Sequence, residues 1–241
     1  GTGALTANGT VVNGGNAEVL NEGTALTMSG SFTNAGDLTV LNNGTGDLTV
    51  SGTVTNGEDA SITNNGNKLL LSGTVDNANN LEITNNGKGG LEATETSNIL
   101  NGGNLYVTNT AGDMTMSGNV ENRGLLARIL NKGKNATIGG TINNANDLEI
   151  TNNGSGALVE NATITNGNDA TITNAGTDMT VGGSITNGND LTIANNGKGA
   201  MVVDSAIDNE HDTTITNAGT TMTVTNKIDN GNNLEIANNG S

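Results

Sequence analysis

Carboxylates and one histidine are the side chains of this sequence that could do acid–base chemistry. The chain has 24 acidic residues, eight basic residues and a single histidine, His211. Acids paired on one face could cleave a polysaccharide. Glu18, Glu82, Glu149 and Glu235 do share one column of a sequence repeat, but threonines alternate with them. His211 lies in a turn, where we expect a solvated side chain, so the pattern predicts no catalytic residue and no enzyme.

Metal binding is the second chemistry that the acids suggest. Aspartate precedes a predicted strand at several turns, for example at Asp37, Asp147 and Asp169. The run GTGDL at 44–48 resembles the calcium-binding nonapeptide repeat of secreted toxins, but the doubled glycines and the nine-residue spacing are absent. Aspartate at such positions is typical of turns in which the side chain bonds its own backbone. We therefore predict no metal site and no cofactor.

Threonine arrays are a third possibility, because regular threonines on a flat β-helix face can order water, as in ice-binding proteins. Thr171 with Thr173 and Thr214 with Thr216 form such outward pairs. Equivalent positions elsewhere hold other residue types, such as Arg128, which breaks the array. Threonine at exposed strand positions has an ordinary explanation in its strand preference.

Two columns of asparagine form the strongest pattern in the chain, since each column has one asparagine in every repeat. An amide both donates and accepts, so a stacked column can pass hydrogen bonds between repeats at the strand spacing of about 4.8 Å. The alternative is that each asparagine only sets its own turn. We predict hydrogen-bonded ladders at Asn21, Asn42, Asn64, Asn85, Asn109, Asn131, Asn152, Asn174, Asn195, Asn217 and Asn238, and at Asn13, Asn34, Asn56, Asn77, Asn101, Asn122, Asn144, Asn166, Asn187, Asn209 and Asn230.

The repeat that carries these columns has steps of 21 to 24 residues with a mean of 21.7. Within each repeat two segments alternate apolar and polar residues, as in Leu148/Ile150 and Met179/Val181, and a third offers one apolar residue, such as Ile185. Asparagine and glycine cluster at the turns, and proline is absent. The pattern predicts an all-β solenoid, a parallel β-helix of about 11 coils of 21–22 residues with three short strands each.

The unbroken repeat predicts one β-helix segment over 1–241, roughly 50 Å long at the strand spacing. Only the step from Asn80 to Asn104 is as long as 24 residues, so we expect a small bulge or loop within 90–103. Both ends lie within the pattern, which suggests a piece of a longer repetitive protein or ends that stack on neighbouring copies.

Glu160 is the main departure from the repeat, because its column is otherwise apolar. A buried unpaired carboxylate is costly. We expect a local strand shift that turns Val159 inward, with pairing of Glu160 as the alternative. Leu20, Leu41 and Leu130 should point outward, but they are dispersed and predict no binding patch.

Composition excludes several partners. The formal charge is −16, and only the stretch 123–134 gathers four basic residues. One phenylalanine and one tyrosine are too few for stacking on bases, so we expect no nucleic-acid binding. No apolar stretch is long enough to insert in a membrane, and the chain has no cysteine for disulfides.

The coils NLEITNNGKG at 80–89 and DATITNAGTDMTVGGSITNGN at 169–189 resemble the β-helical shafts of large bacterial filamentous adhesins. These include filamentous-haemagglutinin-like proteins of two-partner secretion, autotransporter passengers and leukotoxin-family filamentous adhesins. The resemblance covers the whole chain. It implies a right-handed helix, a secreted or cell-surface location in a Gram-negative-type bacterium, and contact with a host-cell or neighbouring-cell surface.

We therefore expect the structural shaft of a secreted cell-surface filamentous adhesin that supports attachment or cell–cell association. One alternative is a self-assembling extracellular fibre, formed by end-to-end or lateral association of copies. Another is a polysaccharide-active β-helix enzyme, which would need clustered outward acids and bases.

Overall fold

The computed structural model describes residues 2–240; Gly1 and Ser241, the ends of the predicted segment, lie outside the described residues. The described chain forms 33 strands in three parallel sheets of 11 strands each, with successive strands passing from sheet 1 to sheet 2 to sheet 3. One strand from each sheet makes a coil, so coil 1 contains β1 to β3 and coil 11 contains β31 to β33. The predicted all-β parallel solenoid of about 11 coils is confirmed.

The strand bounds repeat closely from coil to coil. Sheet 1 consists of β1 Leu5–Ala7, β4 Leu26–Met28, β7 Leu48–Val50, β10 Lys68–Leu71, β13 Gly90–Ala93, β16 Met114–Met116, β19 Ala136–Ile138, β22 Leu158–Glu160, β25 Met179–Val181, β28 Met201–Val203 and β31 Met222–Val224. Sheet 2 consists of β2 Thr10–Asn13, β5 Ser31–Asn34, β8 Thr53–Asn56, β11 Thr74–Asn77, β14 Asn98–Asn101, β17 Asn119–Asn122, β20 Thr141–Asn144, β23 Thr163–Asn166, β26 Ser184–Asn187, β29 Ala206–Asn209 and β32 Ile228–Asn230. Sheet 3 consists of β3 Ala17–Asn21, β6 Leu38–Asn42, β9 Ala60–Asn64, β12 Leu81–Asn85, β15 Leu105–Asn109, β18 Leu126–Asn131, β21 Asp147–Asn152, β24 Ala170–Asn174, β27 Leu191–Asn195, β30 Thr213–Asn217 and β33 Leu234–Asn238.

The alternating sequence explains the core. In coil 3 the side chains of Leu48, Val50, Val54, Ala60 and Ile62 all point inward, and each is buried. Their neighbours along the strands point to solvent, because successive side chains of a strand face opposite sides. Stacking such coils produces one continuous apolar core along the rod.

The register places each residue on its equivalent in the next coil. Leu48 pairs with Leu69 in sheet 1, Asn56 pairs with Asn77 in sheet 2, and Asn64 pairs with Asn85 in sheet 3. A one-residue slip would turn the inward set to the solvent, so burial fixes this register. The asparagine columns are therefore stacked over their full length.

Three corners join the sheets, and they differ in how they tolerate length changes. The first corner links sheets 1 and 2, the second links sheets 2 and 3, and the third links sheet 3 to the next coil. In coil 5 the first corner is longer than elsewhere and forms a turn in which Ser97 N–H donates to the Thr94 carbonyl at 2.9 Å. Coil 6 has one additional residue in its second corner, because Asn122 and Ala127 are five residues apart where other coils have four.

In seven of the eleven coils the first corner holds glycine where neighbouring coils approach closely, at Gly9, Gly30, Gly52, Gly73, Gly118, Gly140 and Gly183. A Cβ atom on Gly52 would lie 1.9 Å from the Gly30 carbonyl oxygen, and one on Gly73 would lie 1.9 Å from the Gly52 oxygen. In coil 7 the corner glycine, Gly140, also has a φ of +73°. L-residues with a side chain rarely adopt this conformation.

Gly140→Ala should destabilise the rod, whereas Gly139→Ala should be tolerated. The Cβ at 140 meets the Gly118 oxygen at 2.2 Å and a left-handed backbone, while the nearest atom to a Cβ at 139 is 3.8 Å away. The backbone term alone costs at least about 1 kcal/mol. Urea unfolding of the two variants measures the difference, and equal midpoints would contradict this account of the corner.

Glu160 corrects a sequence-based prediction. The expected strand shift does not occur: β22 keeps its register, with Glu160 paired to Ile138 and Val181, and Val159 faces outward. The Glu160 side chain is fully buried, and its Oε1 accepts a hydrogen bond from the Ala162 N–H at 2.6 Å while Oε2 has no partner. Slipping the strand would have broken its pairing on both sides, so the chain buries the carboxyl instead. Desolvation raises the pKa of Glu160 to about 8, and the Ala162 hydrogen bond opposes this rise.

Candidate functional site: asparagine ladders and an acidic groove

The first asparagine ladder lies where the sheet 3 strands enter the third corner. In each of ten steps the Nδ2 of one asparagine donates to the Oδ1 of its equivalent in the next coil, at 2.6–2.9 Å. The Oδ1 also accepts from the N–H two residues later, as in Gly154 N–H to Asn152 at 3.2 Å. Because this N–H belongs to glycine in nearly every coil, the repeated Asn-x-Gly spacing and the ladder belong to one arrangement.

The second ladder lies where the sheet 2 strands enter the second corner. Ten bonds of 2.7–3.2 Å join its eleven asparagines in the same direction. In nine of the eleven coils the Nδ2 also donates to a carbonyl of its own corner, as Asn166 does to Asn168 at 3.0 Å and Asp169 at 2.9 Å. In those coils the same side chain therefore joins neighbouring coils and closes its own turn. The first corner has no such column.

The inner ladder asparagines are buried, so their amides must find hydrogen-bond partners within the protein. Asn42, Asn85, Asn152 and Asn187 are fully buried, and the other inner ladder asparagines are nearly so. Among residues 2–240 the buried side-chain atoms without a hydrogen-bond partner are Glu160 Oε2 and Ser205 Oγ, so no buried ladder amide is left unsatisfied. Only an amide of this length both donates to one neighbour and accepts from the other.

A further column of acceptors occupies the second corner and corrects the expectation that aspartate bonds its own backbone. Asp59 Oδ1 accepts from the Asn80 N–H at 3.1 Å, and Asp169 Oδ1 accepts from the Asp190 N–H at 3.2 Å. Each of these carboxylates thus accepts a hydrogen bond from the backbone of the following coil. At Leu126 the column lacks an acceptor, and the Asp147 N–H donates to the Leu125 carbonyl at 3.1 Å instead.

His211 belongs to the same corner, although we expected only a solvated side chain. It is exposed, but its Nδ1 lies 2.5 Å from Asp190 Oδ1. Asn168 and Asn189 hold the equivalent position in earlier coils and donate to Asp147 and Asp169, each at 2.6 Å. His211 therefore replaces an asparagine donor. Although His211, Asp190 and Asp212 have ligand atoms within 4.8 Å of one another, this repeated hydrogen bond accounts for their proximity.

The pKa of His211 should lie above its ordinary value of 6.5, because Asp190 accepts its hydrogen bond and the nearby Asp212 and Asp169 favour the charged ring. The stabilisation of the folded chain by this interaction is fully present below pH 6.5 and is lost as pH rises through the raised pKa of His211. Proton NMR titration of the ring measures this value. Asp190→Asn should lower it, whereas Asp147→Asn, which faces Asn168, should not; equal effects would contradict the assignment.

A groove of about 420 Å³ runs beside the second corner across coils 2 to 5. Its walls include Asp37, Asp59, Glu82 and Tyr106, and its floor includes Leu38. None of the three carboxylates is in a salt bridge within the described part of the chain. The groove opens widely to solvent, and its carboxylates come from successive coils.

The groove bears on the alternative of a polysaccharide-active enzyme. A carboxyl acting as a general acid must stay protonated near neutral pH while still touching the substrate. Glu160 is the carboxyl with a strongly raised pKa, but it is sealed in the core and cannot reach a ligand in the groove.

Leu125 is a surface feature that sequence reasoning missed. Its side chain is 72% exposed, and the other large exposed apolar residues of the described chain belong to coils 1 and 11. It protrudes from the lengthened second corner of coil 6, beside Arg123 and Arg128. The signal was available in the sequence, since the five-residue spacing from Asn122 to Ala127 breaks the pattern of four.

Fold and ladders together define a parallel β-solenoid whose coils are joined by buried asparagine amides. Comparison of the chain with protein-family models, curated proteins and solved structures finds no match. Residues 2–240 contain no helix long and apolar enough to cross a membrane.

Proposed function

We propose that this chain is a structural shaft segment of a secreted, cell-surface filamentous adhesin, supporting attachment or cell–cell association. The observation that carries the proposal is the continuity of both asparagine ladders through all eleven coils. Every coil is bonded to the next at two corners and along three sheets. Such a rod resists bending and extension, which suits a spacer between a cell and a distal binding region.

The surface supports a mechanical role over a catalytic one. Outward positions of sheet 3 change from coil to coil, from Ser61 to Glu82 to Tyr106, while the inward positions stay apolar. A shaft needs its interior repeated and its exterior only soluble. The excess of acidic residues keeps neighbouring rods soluble.

Deleting one coil in register is the sharpest test of a shaft. Removing 169–189 joins Asn168 to Asp190, which is the equivalent of Asp169 and lies 21 residues later. In the bacterium that makes the protein, this deletion should preserve surface display and adhesion. Deleting 169–178 instead would place a sheet 1 strand in sheet 3, and should abolish display.

Adhesion and display must be scored separately. Normal display with adhesion lost after the in-register deletion would mean that this coil is itself the binding site, which would contradict a spacer role. Adhesion unaffected by complete loss of the protein would refute the adhesin assignment. Release of sugars from a polysaccharide by the purified chain would favour the enzyme alternative.

A further inference from the structure

The stretch from the second corner of coil 6 to the second corner of coil 7 differs from the rest of the rod in charge. Residues 122–146 contain Arg123, Arg128, Lys132 and Lys134 and no acidic residue, a formal +4, whereas the remaining residues total −20. Lys132 and Lys134 are exposed and are in no salt bridge of the described chain. We call Arg123, Leu125, Arg128, Lys132 and Lys134 the basic band.

The basic band lies on the same face as the acidic groove. Glu82 pairs with Tyr106 in sheet 3, and Tyr106 pairs with Arg128, so these three outward residues follow one another along a single column. The column therefore reads acid, aromatic, base over three consecutive coils. Leu125 adjoins its basic end, in the second corner, and the groove adjoins its acidic end.

Such a column is complementary to itself when it is reversed. A two-fold axis at Tyr106, perpendicular to the rod, places Arg128 of each copy against Glu82 of the other and Tyr106 against Tyr106. The same axis places the second corner of one copy against the second corner of the other. Leu125 of each copy therefore meets the groove of the other. Parallel rods would instead set Arg128 against Arg128.

We infer that two copies of this chain pair antiparallel through sheet 3, with Leu125 and Arg128 of each seated at the Glu82–Tyr106 groove of the other. A two-fold contact of this kind satisfies both copies at once and closes after two. Tyrosine and arginine are among the residue types that contribute most to binding at interfaces. The pairing does not depend on the proposed adhesin role.

Forming the contact requires Arg128 to exchange an existing partner, and acidic residues limit how far the contact extends. Arg128 already pairs with Glu149 at 3.0 Å, but both side chains are partly exposed, and such pairs are weak enough to exchange. Beyond coil 6 the second corner holds Asp147 and Asp169, which would face the acidic coils 3 and 2 of the other copy. The two rods must therefore cross and diverge rather than lie flush.

Sedimentation velocity of the purified chain tests the pairing. We expect a reversible dimer at concentrations up to about 1 mM, the weak end of specific association. Leu125→Asp should weaken it at least about tenfold, while Leu20→Asp, the same change on the same face in coil 1, should not. A monomer throughout this range, or equal effects of the two variants, would overturn the inference.

Exchanging the charges at positions 82 and 128 is the decisive experiment. It also controls for folding, because restored pairing shows that the substituted chains are folded. Arg128→Glu or Glu82→Arg alone sets like charges opposite each other and should abolish the dimer. Mixing these two chains, or combining both substitutions in one chain, restores opposite charges and should restore dimers. Lys198→Glu and Glu235→Arg serve as matched controls away from the contact.

Failure of the exchange to restore pairing would refute the antiparallel arrangement. Far-ultraviolet circular dichroism of each variant establishes that the rod is intact. Because pairing is read on the purified chain and adhesion on cells, the failure of either proposal leaves the other distinguishable.

Discussion

Replacing Asn152 with alanine in the middle of the first ladder should destabilise the rod by several kcal/mol. The substitution removes the ladder acceptor of Asn131 Nδ2 and the ladder donor of Asn174 Oδ1, and both side chains are fully or almost fully buried. Each atom keeps one bond in its own corner, to the Lys134 carbonyl and from the Gly176 N–H respectively.

The substitution also removes the acceptor of the Gly154 N–H and one of the two donors to the Gly156 carbonyl, which keeps its bond from the Thr177 N–H. Each lost hydrogen bond contributes about 0.5–1.5 kcal/mol, and the Gly154 N–H, which loses its only partner, costs about 1–3 kcal/mol.

Asn153→Ala is the matched control for this prediction. Asn153 is the next residue, it is exposed, and its side chain makes no hydrogen bond to the described chain, so the same change should alter stability by less than about 0.5 kcal/mol. Urea unfolding followed by circular dichroism measures both. Comparable destabilisation by the two substitutions would show that asparagine matters only to the local turn.

Asn152→Asp separates the ladder from the turn more sharply. Aspartate could still accept from the Asn131 amide and the Gly154 N–H, but it cannot donate to Asn174 Oδ1. It would also place a charge in the core. If the ladder stabilises the rod, aspartate should be at least as harmful as alanine. A variant as stable as the wild type would count against the ladder.

The solenoid could be predicted from the sequence because one repeated pattern specifies both its interior and its corners. Inward residues such as Leu81 and Ile83 recur with the asparagine columns, and equivalents then stack in register. Period-2 alternation identifies the buried face without knowledge of any contact. The asparagine ladders followed from the same alignment.

The second corner could not be predicted in the same way. Asp59 Oδ1 could reach an N–H of its own turn or one of the next coil, and only the corner geometry selects the Asn80 N–H. The His211 bond to Asp190 has the same origin, because it depends on which side chain of the next coil projects back. Spacing along the chain carries no such directional information.

Glu160 eluded prediction because two unfavourable options had to be compared. Shifting β22 would have sacrificed its pairing to Ile138 on one side and Val181 on the other. Burying a carboxyl costs less than burying a carboxylate, since the neutral acid avoids most of the desolvation. A prediction from the sequence pattern treats Glu160 as charged and therefore overestimates the cost of burying it.

The stability of the rod should consequently fall as pH rises through the range from about 4.5 to about 8. These are the ordinary pKa of Glu160 and its raised value in the folded chain. The folded state binds one more proton than the unfolded state in this window, so stability decreases with pH there and is level above it. Each pH unit corresponds to about 1.4 kcal/mol, which makes the full loss on the order of 5 kcal/mol.

Glu160→Val tests this loss directly, because valine occupies the equivalent position at Val181 and isoleucine does at Ile138. At pH 9 the variant should be more stable than the wild type by several kcal/mol, and the difference should shrink as pH falls. Glu160→Gln removes the charge but keeps the shape, so it should flatten the pH dependence. Glu18→Gln, at an exposed glutamate of the same rod, should leave the profile unchanged. Urea midpoints measured between pH 5 and 9 distinguish these outcomes, and a wild-type profile as flat as that of Glu160→Gln would mean that the carboxyl escapes to solvent on ionising rather than remaining in the core.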